Sequence, residues 1–354
     1  MLTPQPSVWR SVENPSLTEL NLRKEAICRL TTNHEWRSLS PDRLNCWNQG
    51  LGWFAGGICR VIARNLDIPE EIGWIRAANR ACSGLKPEDV DLILATGSPF
   101  VAFGLAKELS GKLGRPYVLD YRDPWTENLH TPQRNRQITI EEEARLVKNA
   151  AAVTIVSRSW AEALDRRFKL GPKLQVITNG YEPETLTSVA PHDFGHFAIV
   201  YTGTFYPPKR VIEPVMAALQ KLEATIDGKR NPWYFHYYGD GDQHVKEEAK
   251  RFGVTLRVVL HGRVPRGEAL SALRGARVAV IIATVTQEDP LSDRGMVPAK
   301  LYEAMGLKVP VLLIAPPGND AGAIVGRMAS SASYVGSDVE GITGFLQRMI
   351  MNEI

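Results

Sequence analysis

From about residue 91 onward the chain alternates between two hydrophobic rhythms. Short continuous apolar runs give way to stretches where apolar residues recur every third or fourth position. The first rhythm predicts strands buried on both faces, and the second predicts amphipathic helices. Residues 91–95 predict a strand ending at the loop Thr96-Gly97-Ser98-Pro99, and Val101, Leu105, Leu109 and Leu113 then carry helical spacing. Further strands are predicted at 116–120, 153–156 and 174–178, with helices at 141–149 and 159–168. Residues 183–196 break the pattern with a polar stretch holding two prolines and a glycine. The rhythm restarts with a strand at 198–202 and a helical face of Ile212, Val215, Met216, Leu219 and Leu222. Strands are then predicted at 234–238, 256–260, 278–283, 310–314 and 332–335, separated by helices at 244–252, 266–274, 298–306 and 320–329.

Units of β-α-β this regular imply parallel sheets covered on both faces, with right-handed crossovers. The prediction is α/β: two Rossmann-like, doubly wound domains facing across a cleft, spanning residues 1–186 and 197–354 and joined by a linker at 187–196. Ligands of such sheets bind at the carboxyl ends of the strands. The first 90 residues fit this scheme poorly. Residues 20–29 and 51–64 read as amphipathic helices, and no opening strand runs into a Gly-rich turn, so the first domain is expected to be incomplete at its start.

Composition narrows the function classes. The chain has 354 residues, a net charge of +3, 44% hydrophobic residues and 23% charged residues. That balance is globular and carries no nucleic-acid footprint. The longest apolar stretches, 51–59 and 278–285, fall short of the ~20 residues a membrane-spanning helix needs. The start lacks the charged and apolar regions of a signal peptide, which points to a cytoplasmic protein. Cys28, Cys46, Cys59 and Cys82 fit neither a zinc pattern nor a CxxC motif and read as free thiols. All four lie in the first 82 residues, with five of the eight tryptophans (Trp9, Trp36, Trp47, Trp53 and Trp74). Two readings of residues 20–64 follow: helices lying against a bilayer, or helices packed on the first sheet.

The sharpest candidate for chemistry is Asp293-Arg-Gly-Met-Val-Pro-Ala-Lys-Leu-Tyr-Glu303, a glycine-containing loop opening a helix. Proline suits the first helical position, and the free N–H groups and dipole beyond it favour a phosphate. Glu303 offers two acceptor oxygens to paired hydroxyls such as a ribose edge; the alternative is a solvated helix glutamate. Lys300 reads as a surface lysine. In Tyr201-Thr-Gly-Thr-Phe-Tyr-Pro-Pro-Lys-Arg210, Lys209 and then Arg210 are positioned to meet a diphosphate and stabilise a leaving group's charge, or simply to solvate a loop. The turns at Tyr238-Gly-Asp-Gly-Asp242 and His261-Gly-Arg-Val264 follow strands in the same way. In the first half, Asp120-Tyr-Arg-Asp-Pro-Trp125 combines carboxylates, an arginine and an indole, a set suited to polyol recognition; the alternative is an Arg122 ion pair fixing the loop. The histidines form no HExxH, and the pair His192 and His196 reads as solvated linker. There is no GxSxG, no Walker A and no full GxGxxG.

Taken in order, these pieces resemble the GT-B glycosyltransferases, specifically the retaining family 4-like group that builds bacterial polysaccharides. The matching stretches are Asp67–Trp74, Ala95–Phe100, Asp120–Trp125, Glu141–Val156, Ile177–Tyr181, Tyr201–Phe205, Tyr238–Gly241, His261-Gly262 and Pro298–Val311. The resemblance implies transfer of a sugar from a nucleotide-sugar donor to a hydroxyl acceptor, with retention, in surface polysaccharide or glycolipid synthesis. It implies that Glu303 binds ribose, that Lys209 neutralises diphosphate, and that the Gly295, Met296 and Val297 amides add hydrogen bonds. Gly203 and Arg210 belong to the same donor site, and the backbone at Gly262, Arg263 and Val264 meets the base. Arg122 and Asp123 face the donor sugar and the acceptor, which is a sugar or a lipid-linked one reached by peripheral contact with the inner membrane face. No cofactor or metal is implied, because cationic side chains and a helix N-terminus take the charge.

Three departures stand out. Gly295 occupies the first position of the family's Glu-x7-Glu pair. No arginine precedes Lys209 between Gly203 and Pro208. Met1-Leu-Thr-Pro4 resembles the end of a second strand, and relatives continue beyond the equivalent of Ile354, so the chain is expected to start late and end early. Two other functions follow from the same residues: a non-catalytic partner subunit that kept the fold, and a nucleotide-sugar epimerase.

Overall fold

The computed structural model describes residues 2–4, 28–30, 72–126, 136–228, 230–286 and 291–351. Two compact units emerge, one of residues 1–155 with 164–175 and the other of residues 156–163 with 176–354.

In the first unit, β1 (Leu2–Pro4) pairs in parallel with β2 (Cys28–Leu30). Residues 28 and 29 are therefore strand, not the end of a helix. The remainder of the expected helix at 20–29, the whole of 51–64, and Cys46 and Cys59 lie outside the described residues. The strands β3 (Ile93–Gly97), β4 (Tyr117–Tyr121), β5 (Ala152–Ile155) and β6 (Leu174–Val176) form a four-stranded sheet in sequence order. The helices of this unit are α1 (Ile72–Ala81), α2 (Val101–Leu113) and α3 (Arg136–Asn149); α4 (Arg158–Phe168) has its first six residues, Trp160 among them, in the second unit and its remainder in the first. Ala78 and Cys82 pack on Leu105 and Leu109, joining α1 to α2. The register puts Thr96 beside Asp120 and Asp120 beside Thr154. Both threonine hydroxyls donate to the Asp120 carboxylate, at 3.3 and 2.6 Å, so this buried acid is satisfied by its own sheet.

The second unit is a six-stranded sheet in the order β12-β11-β10-β7-β8-β9. Its strands are β7 (Phe197–Thr202), β8 (Trp233–Tyr238), β9 (Val258–Leu260), β10 (Val278–Ile282), β11 (Val311–Ile314) and β12 (Ala332–Tyr334). All neighbours are parallel. The strand period of two splits the apolar runs between two cores. Ile199, Tyr201, Phe235, Tyr237, Val280 and Ile282 face one layer with α6 (Glu213–Thr225), α7 (Asp242–Arg251) and α12 (Val339–Ile350). Ala198, Val200, Ala279, Ile281 and Leu313 face the other, with α8 (Arg266–Gly275), α10 (Ala299–Gly306) and α11 (Asp320–Val325). Two short helices, α5 (Pro183–Thr187) and α9 (Leu291–Arg294), complete the unit.

Three local differences from the sequence reading have physical causes. Residues 187–196 are laced to α8. The His192 N–H donates to the Ser271 carbonyl at 2.9 Å, the Ser271 hydroxyl donates to the Ala190 carbonyl at 2.7 Å, and the Arg274 guanidinium donates to the carbonyls of Leu186, Thr187 and Val189. Helix α12 was not anticipated, although its face of Ile342, Phe345, Leu346, Met349 and Ile350 is fully amphipathic, and Asp338 caps it by accepting from the Gly341 N–H at 2.9 Å. Pro298 is extended (ψ 133°) and stands just before α10 as its cap residue, one position earlier than expected.

Candidate functional site

In the second unit β7, β8 and β9 are laid down in one direction, and β10, β11 and β12 in the other. The reversal between β7 and β10 makes a topological switch point, where the loops at the carboxyl ends diverge and leave a crevice. The turns after β7, β8, β9 and β10 and the start of α10 all belong to this edge.

The turn after β7 is held open by glycine. Gly203 has φ +106°, which side chains rarely adopt. Its N–H donates to the Tyr238 carbonyl at 2.6 Å, and its carbonyl accepts from the Tyr237 hydroxyl at 2.9 Å. That same hydroxyl accepts from the Gly241 N–H at 2.7 Å, so Tyr237 ties the β7 turn to the β8 turn. The Gly239 N–H donates to the Gly262 carbonyl at 2.9 Å, which adds the β9 turn. Nothing in the sequence reading singled out Tyr237, which lies within the strand predicted at 234–238.

Beyond Gly203, Tyr206 and Arg210 exchange backbone hydrogen bonds at 3.0 and 2.9 Å and close a tight loop around Lys209. The Arg210 guanidinium donates to the Ala283 carbonyl at 3.1 Å and to the Met296 Sδ at 3.0 Å. Lys209 donates from Nζ to Asp293 Oδ2 at 2.6 Å, and its own carbonyl accepts from the Val285 N–H. The Asp293 side chain is 3% exposed, and a carboxylate so buried requires its cation.

Helix α10 supplies the opposite wall. Lys300 and Glu303 share one of its faces. Lys300 is not the solvated surface lysine expected from sequence. Its Nζ lies 5.0 Å from the Tyr201 ring centroid, in the space that a side chain at Gly203 would fill. Burial, and secondarily the Arg210 charge, pull its pKa down to about 8, with Glu303 opposing. Burial pushes the neighbouring Tyr201 hydroxyl well above its ordinary 10.0. Glu303 Oε1 accepts from the Arg266 Nη2 at 2.9 Å, with a quarter of the glutamate exposed.

The loop before α10 is firmly packed. A Cβ on Gly295 would meet the Trp160 ring at 2.3 Å, so the glycine lets the backbone rest on the indole. Asn319 donates from Nδ2 to the Asp293 carbonyl at 2.7 Å and to the Met296 carbonyl at 3.4 Å, while the Met296 N–H goes to the Asp293 carbonyl at 3.3 Å. Met296, Val297 and Val264 are partly buried against the core beneath α8 and α10. Arg263 reaches Asp240 at 3.6 Å on the open surface.

Next to this edge runs a chain of imidazoles. His196 Nε2 and His236 Nε2 lie 2.9 Å apart, and so do His236 Nδ1 and His261 Nε2. His261 stacks flat on Tyr238, with centroids 4.0 Å apart, one residue before Gly262. Burial first, then the neighbouring histidines, lowers the His236 pKa to about 3, and His196 and His261 shift down as well. His196 is thus not a solvated linker residue. The three rings run end to end rather than converging, and among the described residues no cluster of three or more His, Cys, Asp or Glu is arranged to hold a metal ion.

In the first unit, Arg122 donates from Nε to Asp120 Oδ2 at 2.8 Å and from its N–H to the Gly97 carbonyl at 2.9 Å. The loop-fixing ion pair is therefore present, with 41% of the Arg122 side chain still exposed beside an exposed Asp123. Nearby in the chain, Phe100 and Trp125 stack with their ring centroids 5.0 Å apart. Behind β4, Glu143 is buried against Tyr121, Thr126 and Arg167; burial raises its pKa to about 7.

Among the described residues no helix is long and apolar enough to cross a membrane. Residues 34–185 match the family model described as Glycosyltransferase Family 4, and residues 196–346 match Glycosyl transferases group 1. No curated protein sequence matches. Among solved structures, the chain is similar to sucrose-phosphate synthase from Thermosynechococcus elongatus, with 16% identity over 80% of this chain and 69% of that one (TM-score 0.55). It is similar to HepE of Anabaena in complex with UDP, with 15% identity over 79% and 72% of the two chains (TM-score 0.58). The lipopolysaccharide outer core galactosyltransferase WaaB follows at 13% identity over 82% and 73% (TM-score 0.52). At these identities the likeness shows a shared fold of two parallel-sheet domains.

Proposed function

With its halves matching Glycosyltransferase Family 4 and Glycosyl transferases group 1 in order, the chain is a family 4-like GT-B glycosyltransferase, and from that premise we propose that it moves a sugar from a nucleotide-sugar donor to a hydroxyl acceptor with retention. The observation that carries the donor half is the switch-point edge of the second unit, where Lys209, Arg210 and Lys300 gather beside glycine turns and Glu303. Glucose-bearing uridine nucleotides and UDP occupy HepE, the fold neighbour whose structures name them, which supports a nucleoside diphosphate here.

In this reading Glu303 takes the ribose hydroxyls, with Arg266 holding its other face. The cations and the start of α10 meet the diphosphate, so charge stabilisation needs no metal. The backbone from Gly262 to Val264 faces the base. In the transfer, the bond from the anomeric carbon to the phosphate oxygen breaks while the acceptor oxygen attacks the same face. The acceptor's proton passes to the departing phosphate oxygen, and the cations hold the negative charge that remains. Arg122 and Asp123 are assigned to the donor sugar and acceptor, and the products to surface polysaccharide or glycolipid synthesis. One observation favours a second reading, a non-catalytic partner subunit: Lys209 is already neutralised by Asp293.

Thermal-shift measurements with UDP, GDP, ADP and dTDP test the proposal. At least one nucleotide should raise the melting temperature, and Glu303→Ala should remove the rise. Stabilisation by none of the four would refute the donor site. A partner subunit would instead leave cellular function unchanged in Glu303→Ala.

A further inference from the structure

Lys209, Arg210 and Lys300 lie where the β7 turn meets the loop and helix of α10, and their surroundings differ sharply. Lys209 is bonded to the buried Asp293 carboxylate at 2.6 Å. Arg210 is fastened to the Ala283 carbonyl and the Met296 sulfur. Lys300 has neither kind of partner. Among the described residues no carboxylate lies within ion-pair distance of its Nζ; the candidate on its own helix, Glu303, is bonded to Arg266 instead. What surrounds the Lys300 ammonium is the Tyr201 ring face at 5.0 Å and the bare backbone of Gly203. An ideal Cβ at Gly203 would stand 1.9 Å from Nζ, so the φ +106° glycine is what makes room for this side chain.

A partly buried ammonium with no carboxylate beside it is costly, because no opposite charge offsets the desolvation it has undergone. A ring face returns only part of that loss. Such a group is stabilised most by an incoming anion, and a diphosphate brings more than one charge to it.

We propose that Lys300, rather than Lys209, is the principal countercharge for the donor's diphosphate, and that nucleotide binding completes an ion pair the folded chain leaves open. This rests on the donor-site reading above. Lys209, with its charge taken by Asp293, then serves to shape the loop that it closes.

The proposal has a signature that a merely structural lysine would lack. Arg210 pushes protons off Lys300, and Glu303 draws them on; with burial, the balance leaves its pKa at about 8. The hydroxyl of Tyr201, whose ring lies beneath the ammonium, stays protonated throughout that range. At pH about 9 only roughly a tenth of Lys300 carries a proton in the empty site. The diphosphate of UDP is fully ionised there, so the proton that closes the ion pair must come from the buffer.

Isothermal titration of the full chain with UDP at pH about 9, in two buffers of different ionisation enthalpy, counts that proton. The expected result is uptake approaching one proton per UDP bound. Lys300→Met should abolish the uptake and weaken binding at least about tenfold. Lys300→Arg, which keeps a permanent charge, should recover affinity without uptake, and Lys209→Met should retain the uptake. Binding by the wild type without proton uptake, or uptake that survives in Lys300→Met, overturns the assignment of Lys300 while leaving the donor site standing. Wild-type protein that binds no UDP, GDP, ADP or dTDP overturns the donor site, and this proposal with it.

Discussion

Replacing Glu143 by glutamine should make the first unit more stable, and by an amount that depends on pH. The carboxyl lies behind β4, hydrogen-bonded by the Thr126 hydroxyl, which in turn accepts from the Arg167 Nη1 at 3.0 Å. These contacts favour the charged form, but burial outweighs them and raises the pKa from its ordinary 4.5 to about 7. The folded chain therefore holds the proton that the unfolded chain has released between those two values. Stability is full below about pH 4.5 and falls as pH rises through the window to the folded value. Integrated between pH about 5 and 8.5, the wild type should lose about 2–3 kcal/mol relative to a variant that cannot ionise. Glutamine keeps the volume and an oxygen for Thr126. Urea denaturation at the two pH values, with hydrogen exchange on peptides from β4, β5 and α3, reads the difference directly. A Glu143→Gln advantage that stays constant from pH 5 to 8.5 would refute the reasoning, because it would mean that Glu143 is already ionised in the folded chain at the lower pH.

Three further outcomes follow from the second unit. Gly203→Ala should cost about 1–3 kcal/mol in a urea titration, because an L side chain is strained at φ +106°, and should also expel Lys300 and weaken nucleotide binding; Gly253→Ala, at φ +69° with open space around it, should leave binding intact. Stability of the wild type should fall as pH drops through 6.5 toward 3, because the unfolded chain takes up a proton that folded His236 refuses. In His236→Phe that slope should flatten, the remainder coming from His196 and His261, whose rings bond to it and whose pKa values burial also lowers; an unchanged slope counts against the burial argument. Glu303→Ala should lose discrimination between ribose and deoxyribose diphosphates in competition binding, whereas retained discrimination would remove the glutamate from the ribose.

The sheet of the second unit was legible in the sequence because parallel strands are covered on both sides. Val278–Ile282 is apolar at every position and buried at every position, which is the pattern that marks such a strand. The glycine turns after β7, β8 and β9 were equally plain, since each follows directly on its strand. What escaped depends on residues far apart in the chain. A lysine early in a polar-flanked helix looks solvated, and Lys300 is withdrawn from water only because Gly203 lacks a side chain. The Lys209–Asp293 pair spans 84 positions and the His196–His236 contact 40, so no local spacing announces either. Helix α12 was overlooked despite a regular apolar face, while residues 187–196 read as a free linker because their anchoring is backbone to α8, invisible to side-chain chemistry. Pro298 stands one position before the helix because its fixed φ, here −61°, is shared by an extended residue and a helical one, so the ring does not decide between them.

The imidazole chain of His196, His236 and His261 carries one more consequence. A neutral ring has a single N–H and one bare nitrogen, and His236 touches a neighbour through both of its nitrogens. If its proton sits on Nε2 it gives to His196 and must receive from His261; if the proton sits on Nδ1, both relations reverse. Any mixed arrangement sets two hydrogens or two lone pairs against each other across 2.9 Å. The three tautomers therefore form one polarised row with two senses, so the ring beside Gly262 cannot exchange donor for acceptor without the ring beside Phe197 doing the same.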